Sequence, residues 1–141
     1  MKNIITTLYF LFSFLIANSQ IKEPVHLGFN LVEENNDFKK FEDEKGYAHF
    51  YIKGQHFKSP IANPPFEEIS SQTLKKVKLL DISDFLKLAH NERTRLIAKG
   101  EKDKSIKLLF NNEVFEQIFL YQKINDNCIL RMEVVWIEEI E

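Results

Sequence analysis

The sequence has a single cysteine, Cys128. That excludes an intramolecular disulfide and a four-cysteine zinc site. Glycine and proline number four each, too few to mark a linker or an internal boundary, and no Gly-rich phosphate loop is present. Charge of one sign is also lacking. Nineteen basic residues stand against twenty-one acidic ones, a formal net charge of −2, so there is no global basic field for nucleic acid. The chain contains no H-E-x-x-H, no G-x-S-x-G and no N-x-S/T, which removes the usual signatures of zinc proteases, serine hydrolases and N-glycosylated loops.

Phenylalanine is abundant, with thirteen copies. So is apolar character at the start. Lys2 is the only charge before Lys22, and Ile4 to Ala17 reads IITTLYFLFSFLIA. Ala17 and Ser19 then place small residues at the −3 and −1 positions of a cut before Gln20. This is the layout of a secretory signal peptide over residues 1–19. A retained signal anchor is the competing reading, but the apolar run falls short of the roughly 20 residues of a spanning helix. No later stretch is apolar enough to span. The expectation is an exported protein, periplasmic or secreted, with one domain over residues 20–141. Heavy use of Asn, Lys, Ile and Phe leans towards a bacterial envelope. A lone thiol fits an exported chain stabilised by packing.

Within that domain, Phe38 and Phe41 at i,i+3 suggest a short helix over 32–45, closed by Gly46. YAHFYI alternates, and Lys53-Gly54 makes a two-residue turn with QHFK returning. Phe50 then faces Phe57, and His49, Tyr51 and His56 share the outer face. Residues 59–65 (SPIANPP) form a loop because proline removes ladder donors. Residues 66–80 carry both helix and strand signals and lean to helix. Helix is expected from about Asp84 to Lys99, with Phe85, Leu88, Ala89, Leu96 and Ile97 at helical spacing and Gly100 as the stop. SIKLLF, VFEQIFLYQKI and CILRMEVVWIEEI, separated by Asn/Asp clusters, predict a three-strand antiparallel meander. Helix over 113–123 is the alternative for its middle strand. The fold class is α+β, helices packed on a curved antiparallel sheet. This ending, with Trp136 in the last strand, is similar to the cystatin-like and nuclear-transport-factor-2-like folds. The resemblance covers about residues 75–141, is architectural, and transfers no functional residue.

Candidate chemistry is sparse. His49 and His56, beside Tyr51, suggest a two-histidine metal or acid–base site. They lack an obvious third ligand and read more simply as exposed strand residues, so no cofactor is expected. Cys128 as a nucleophile would need His26, His49, His56 or His90 as base. A buried inert thiol is the simpler account. Glu138 and Glu139 are neighbours on a strand and point opposite ways, so they do not form a glycosidase pair.

Charge layout says more. Residues 20–74 carry net −3, residues 75–107 net +5 and residues 108–141 net −5. Either the basic helix neutralises the acidic sheet, or a partner reads one pole. In the second case Arg93, Arg95, Lys99, Lys102 and Lys104 meet an acidic surface, and Glu138 and Glu139 a basic one. The expected function is a non-catalytic exported binding module that recognises or inhibits a protein partner, as an immunity-type or accessory protein does. The alternative is a cone-shaped ligand-binding or enzymatic domain, with an apolar pocket lined by Phe115, Phe119, Tyr121, Leu130 and Trp136.

Overall fold

A computed structural model of the chain describes residues 23–30, 38–102 and 109–138. The expected signal segment 1–19, Lys104 and Glu139 lie outside them. Seven strands form a curled mixed sheet: β1 (Val25–Asn30), β2 (Phe38–Glu42), β3 (Ala48–Ile52), β4 (Gln55–Lys58), β5 (Glu67–Ile69), β6 (Ile118–Asn125) and β7 (Cys128–Ile137). Among the described residues the helices are α1 (Ser71–Leu74), α2 (Ile82–Lys102) and α3 (Asn111–Val114). The protein is α+β, with helices packed on this sheet.

The strand order is β1-β6-β7-β4-β3-β2. All neighbours are antiparallel except β1 and β6, which run parallel from Val25↔Ile118 to Asn30↔Lys123. At ten residues β7 is long enough to hold two partners on one edge. Ile129–Arg131 pair with β5, and Val135–Ile137 pair with β4. Its other edge pairs with β6 along most of its length.

The β3–β4 hairpin forms in the expected register, Phe50↔Phe57 and Tyr51↔His56. Its turn residues Lys53 and Gly54 both have positive φ, 48° and 76°, as a type I′ turn requires. One face of β3 is buried through Ala48, Phe50 and Ile52. That face, with Phe57, Leu120, Met132, Val134 and Trp136, meets Ile82, Phe85 and Ala89 of α2. Phe85 is the hub. Its ring centroid lies 5.5 Å from Phe57, 5.4 Å from Phe115 and 5.1 Å from Trp136, within the range of favourable aromatic pairs. Asp81 starts α2 by accepting from the Asp84 N–H at 2.8 Å.

Several expectations are corrected. Phe38–Glu42 is an edge strand paired to β3, not a helix. Phe38 packs on the core, while Phe41 faces the other way. Residues 66–80 are neither one helix nor one strand but β5, the single turn α1 and a return to β1. There Leu27 bridges Leu80. Gly100 does not end α2, which runs to Lys102. Leu88 and Ile97 of that helix are exposed. The β6–β7 hairpin of the meander is present, but its expected first strand is not described, since residues 105–108 lie outside the described residues. Asn111-Asn112 open α3 instead of a hairpin turn. Asn111 is drawn inward there, where its side chain accepts from Arg93 and donates to the Ile137 carbonyl.

Candidate functional site

The outer face of β2–β3–β4 gathers the polar cluster expected from the hairpin register and adds a residue to it. The segment Asp43-Glu44-Lys45-Gly46 closes a turn, with the Gly46 N–H donating to the Asp43 carbonyl at 2.9 Å. Gly46 has φ of 83°, a region that glycine enters without a Cβ penalty. This turn fixes the Asp43 carboxylate beside His49. Oδ1 accepts from the Lys45 and Tyr47 N–H groups at 3.0 and 2.9 Å. Oδ2 lies 3.0 Å from His49 Nε2. A carboxylate can only accept, so His49 carries its proton on Nε2. The opposite nitrogen, Nδ1, lies 2.9 Å from His56 Nε2. With His49 neutral, His56 donates across that gap. The hydrogen bond from His49, then those from the backbone, hold the Asp43 carboxyl down at about 2, against 3.8 for the free group.

The rings of this face stack as a cluster of four, closed by Phe41 and Tyr51 at 6.1 Å. Phe41 lies 4.7 Å from His49, Tyr51 lies 4.3 Å from His56, and the two imidazoles are 5.2 Å apart. Phe41 and His49, like Tyr51 and His56, are direct cross-strand partners, so the ladder itself produces the stack. His49 and His56 aim their facing nitrogens at each other, and the other nitrogen of His49 at Asp43. Their lone pairs do not converge on a point where a metal would sit. Among the described residues there is no cluster of three metal-ligating side chains.

The second face of β6–β7 holds a network that sequence reading missed. His26 of β1 stacks on Phe119 with centroids 5.8 Å apart, and its Nδ1 lies 2.8 Å from the Tyr121 hydroxyl. Arg131 donates from Nε to Glu67 at 3.0 Å. Its guanidinium lies over the Phe119 ring at 4.8 Å. Burial, and secondarily the charge of Arg131, lower the His26 pKa below its ordinary 6.5, which leaves the ring neutral at pH 7. Burial and then the nearby Glu68 carboxylate raise the Cys128 thiol. Cys128 is therefore a protonated thiol, the opposite of an activated nucleophile.

The five residues expected to line one pocket are split. Trp136 is buried on the α2 side, and Phe115 packs against that core. Tyr121 is buried in a separate cluster on the opposite face with Ile69 and Ile129, where Phe119 joins it. Leu130 stays partly exposed. Alternation along β6 and β7 forces this division, because residues one apart face opposite ways. The cationic candidates also separate. Arg93 turns inward, donating to Asn111 at 2.6 Å with its guanidinium 5.9 Å from the Trp136 ring. Arg95 grips Glu92 of its own helix at 2.9 and 2.6 Å. Lys99, Lys102 and Glu138 are exposed.

Comparison with protein families, curated proteins and solved structures gives no match.

Proposed function

We propose that the protein is an exported, non-catalytic binding module of the bacterial envelope, which caps or inhibits a protein partner through the cationic half of α2. One observation carries this reading. The last buried residue of α2 is Ala89, yet the helix continues to Lys102, roughly three and a half turns further. Apart from Arg93, which turns in to Asn111, that stretch has no side chain in the core, and such a segment gains little from tertiary packing. Its sequence is instead given to display, with Arg95, Lys99 and Lys102 in solvent.

The charge layout supports the same view. Among the described residues, no ion pair joins α2 to β6 or β7. The pairs run within α2, as Lys87–Asp84 and Arg95–Glu92, or within the sheet and its turns, as Lys123–Asp126 and Arg131–Glu67. Within the positive segment Lys99 and Lys102 stand in solvent, where an acidic surface would gain steering and specificity from their charge. Catalysis gains no comparable support. His26, His49 and His56 are bonded to neighbours, the thiol is held protonated, and the core face is filled by Phe50, Phe57, Phe85 and Trp136.

The test is a charge reversal. The variant Arg95→Glu/Lys99→Glu/Lys102→Glu should keep its thermal midpoint within a few degrees and lose the envelope proteins that the wild-type chain retains at low ionic strength. Those proteins should elute from the wild type near 0.5 M salt, where the screening length falls to about 4 Å. Undiminished capture by the reversed helix would end the reading.

A further inference from the structure

The geometry points to a binding site for a single-chain amphiphile with an anionic head, of the fatty-acid class, on the face of the sheet turned away from α2. A groove of about 430 Å³ runs there between the return segment and β6–β7. That size lies within the roughly 300–1,000 Å³ of small-ligand pockets. Gly28 forms its floor. A Cβ at that position would sit 3.2 Å from Leu79 Cδ1, so the missing side chain is what lets Leu79 pack close over β1 as a wall of the groove. Leu74, Leu79, Tyr121 and Ile129 make walls that are almost wholly apolar.

Two charged residues reach the rim, Lys123 and Asp81, and they differ in availability. Asp81 is engaged with the backbone at the start of α2. Lys123 pairs with Asp126 at 2.7 Å, but the Asp126 side chain is 92% exposed. So solvated a pair contributes little, and the ammonium can exchange Asp126 for another anion. An apolar trough with one exchangeable cation at its rim complements an acyl chain ending in a carboxylate. This site is independent of the cationic helix, and neither proposal rests on the other.

The probe is dodecanoate, titrated calorimetrically below its micelle concentration into the purified protein, with octanoate, dodecanol and dodecyltrimethylammonium alongside. The expected result is one saturable site per chain. Affinity should fall about fourfold per methylene removed. Dodecanol should bind about tenfold more weakly than dodecanoate, as loss of a charge-assisted bond implies. Amide shifts in NMR should cluster at Gly28, Leu79, Tyr121 and Ile129. Lys123→Gln, a surface change, should reduce dodecanoate binding to the level of dodecanol and leave dodecanol unaffected. Leu79→Trp should fill the trough and abolish both. Equal or tighter binding of the trimethylammonium probe, shifts centred on another face, or no saturable site would overturn the proposal.

Discussion

Asp43 accepts three hydrogen bonds while its side chain stays partly in solvent, and that combination sets its pH behaviour. Its folded pKa, about 2, lies below the ordinary 3.8. Such a group stabilises the fold above pH 3.8, and the contribution is lost as pH falls towards 2. Asp43→Asn should therefore lower the melting temperature at pH 7. The gap between variant and wild type should close in melts taken from pH 4 down to 2. A gap that stayed constant over that range would show that the turn geometry matters and the carboxylate charge does not. Asp43 falls inside the helix expected over 32–45, so its role was missed in the sequence. Asp at the first and Gly at the fourth position of Asp43-Glu44-Lys45-Gly46 is a type I turn signature, but nothing in its spacing says that the turn lands beside His49. His26 and Tyr121 were not legible at all, because 95 residues separate them in the chain and only the β1–β6 pairing joins them.

Among the elements, the β3–β4 hairpin was readable to the residue. Alternation set its faces, and Lys53-Gly54 set its register. Gly54 has a φ of 76°, and a Cβ added there would meet nothing within 4 Å. Gly54→Ala should therefore cost only the left-handed backbone penalty, about 1 kcal/mol. Chemical denaturation should show that loss with an unchanged slope. Beside it, β2 was misread as helix for a physical reason. An edge strand with four of its five residues exposed carries no alternating hydrophobic pattern, so Phe38 and Phe41 at i,i+3 imitated a helical face. α3 was missed because Asn-Asn suits a helix start as well as a hairpin turn. What settles the choice is tertiary, namely Arg93 and the Ile137 carbonyl holding the Asn111 side chain.

For the molecule as a whole, α+β was legible because strand-type and helix-type periodicities occupy different stretches of sequence. The mixed sheet was not, since no local signal announces that β1 will pair with a strand near the other end. Cohesion rests on Phe85, fully buried between three aromatic rings from β4, β7 and the segment after α3. Phe85→Ala should cost about 3–5 kcal/mol, enough to remove most of the stability of a domain this size. Loss of a cooperative thermal transition would be the readout, and a loss below about 1 kcal/mol would mean that the core closes without it.

The parallel pairing of β1 with β6 also has a consequence in time. A ribosome delivers Val25–Asn30 long before Ile118–Asn125, so β1 lacks its main partner until β6 has been made, and its earlier contact is the bridge from Leu27 to Leu80. Contacts between such distant segments slow folding. The chain therefore joins β1 to β6 later than it forms the β3–β4 hairpin, whose strands are separated only by Lys53 and Gly54.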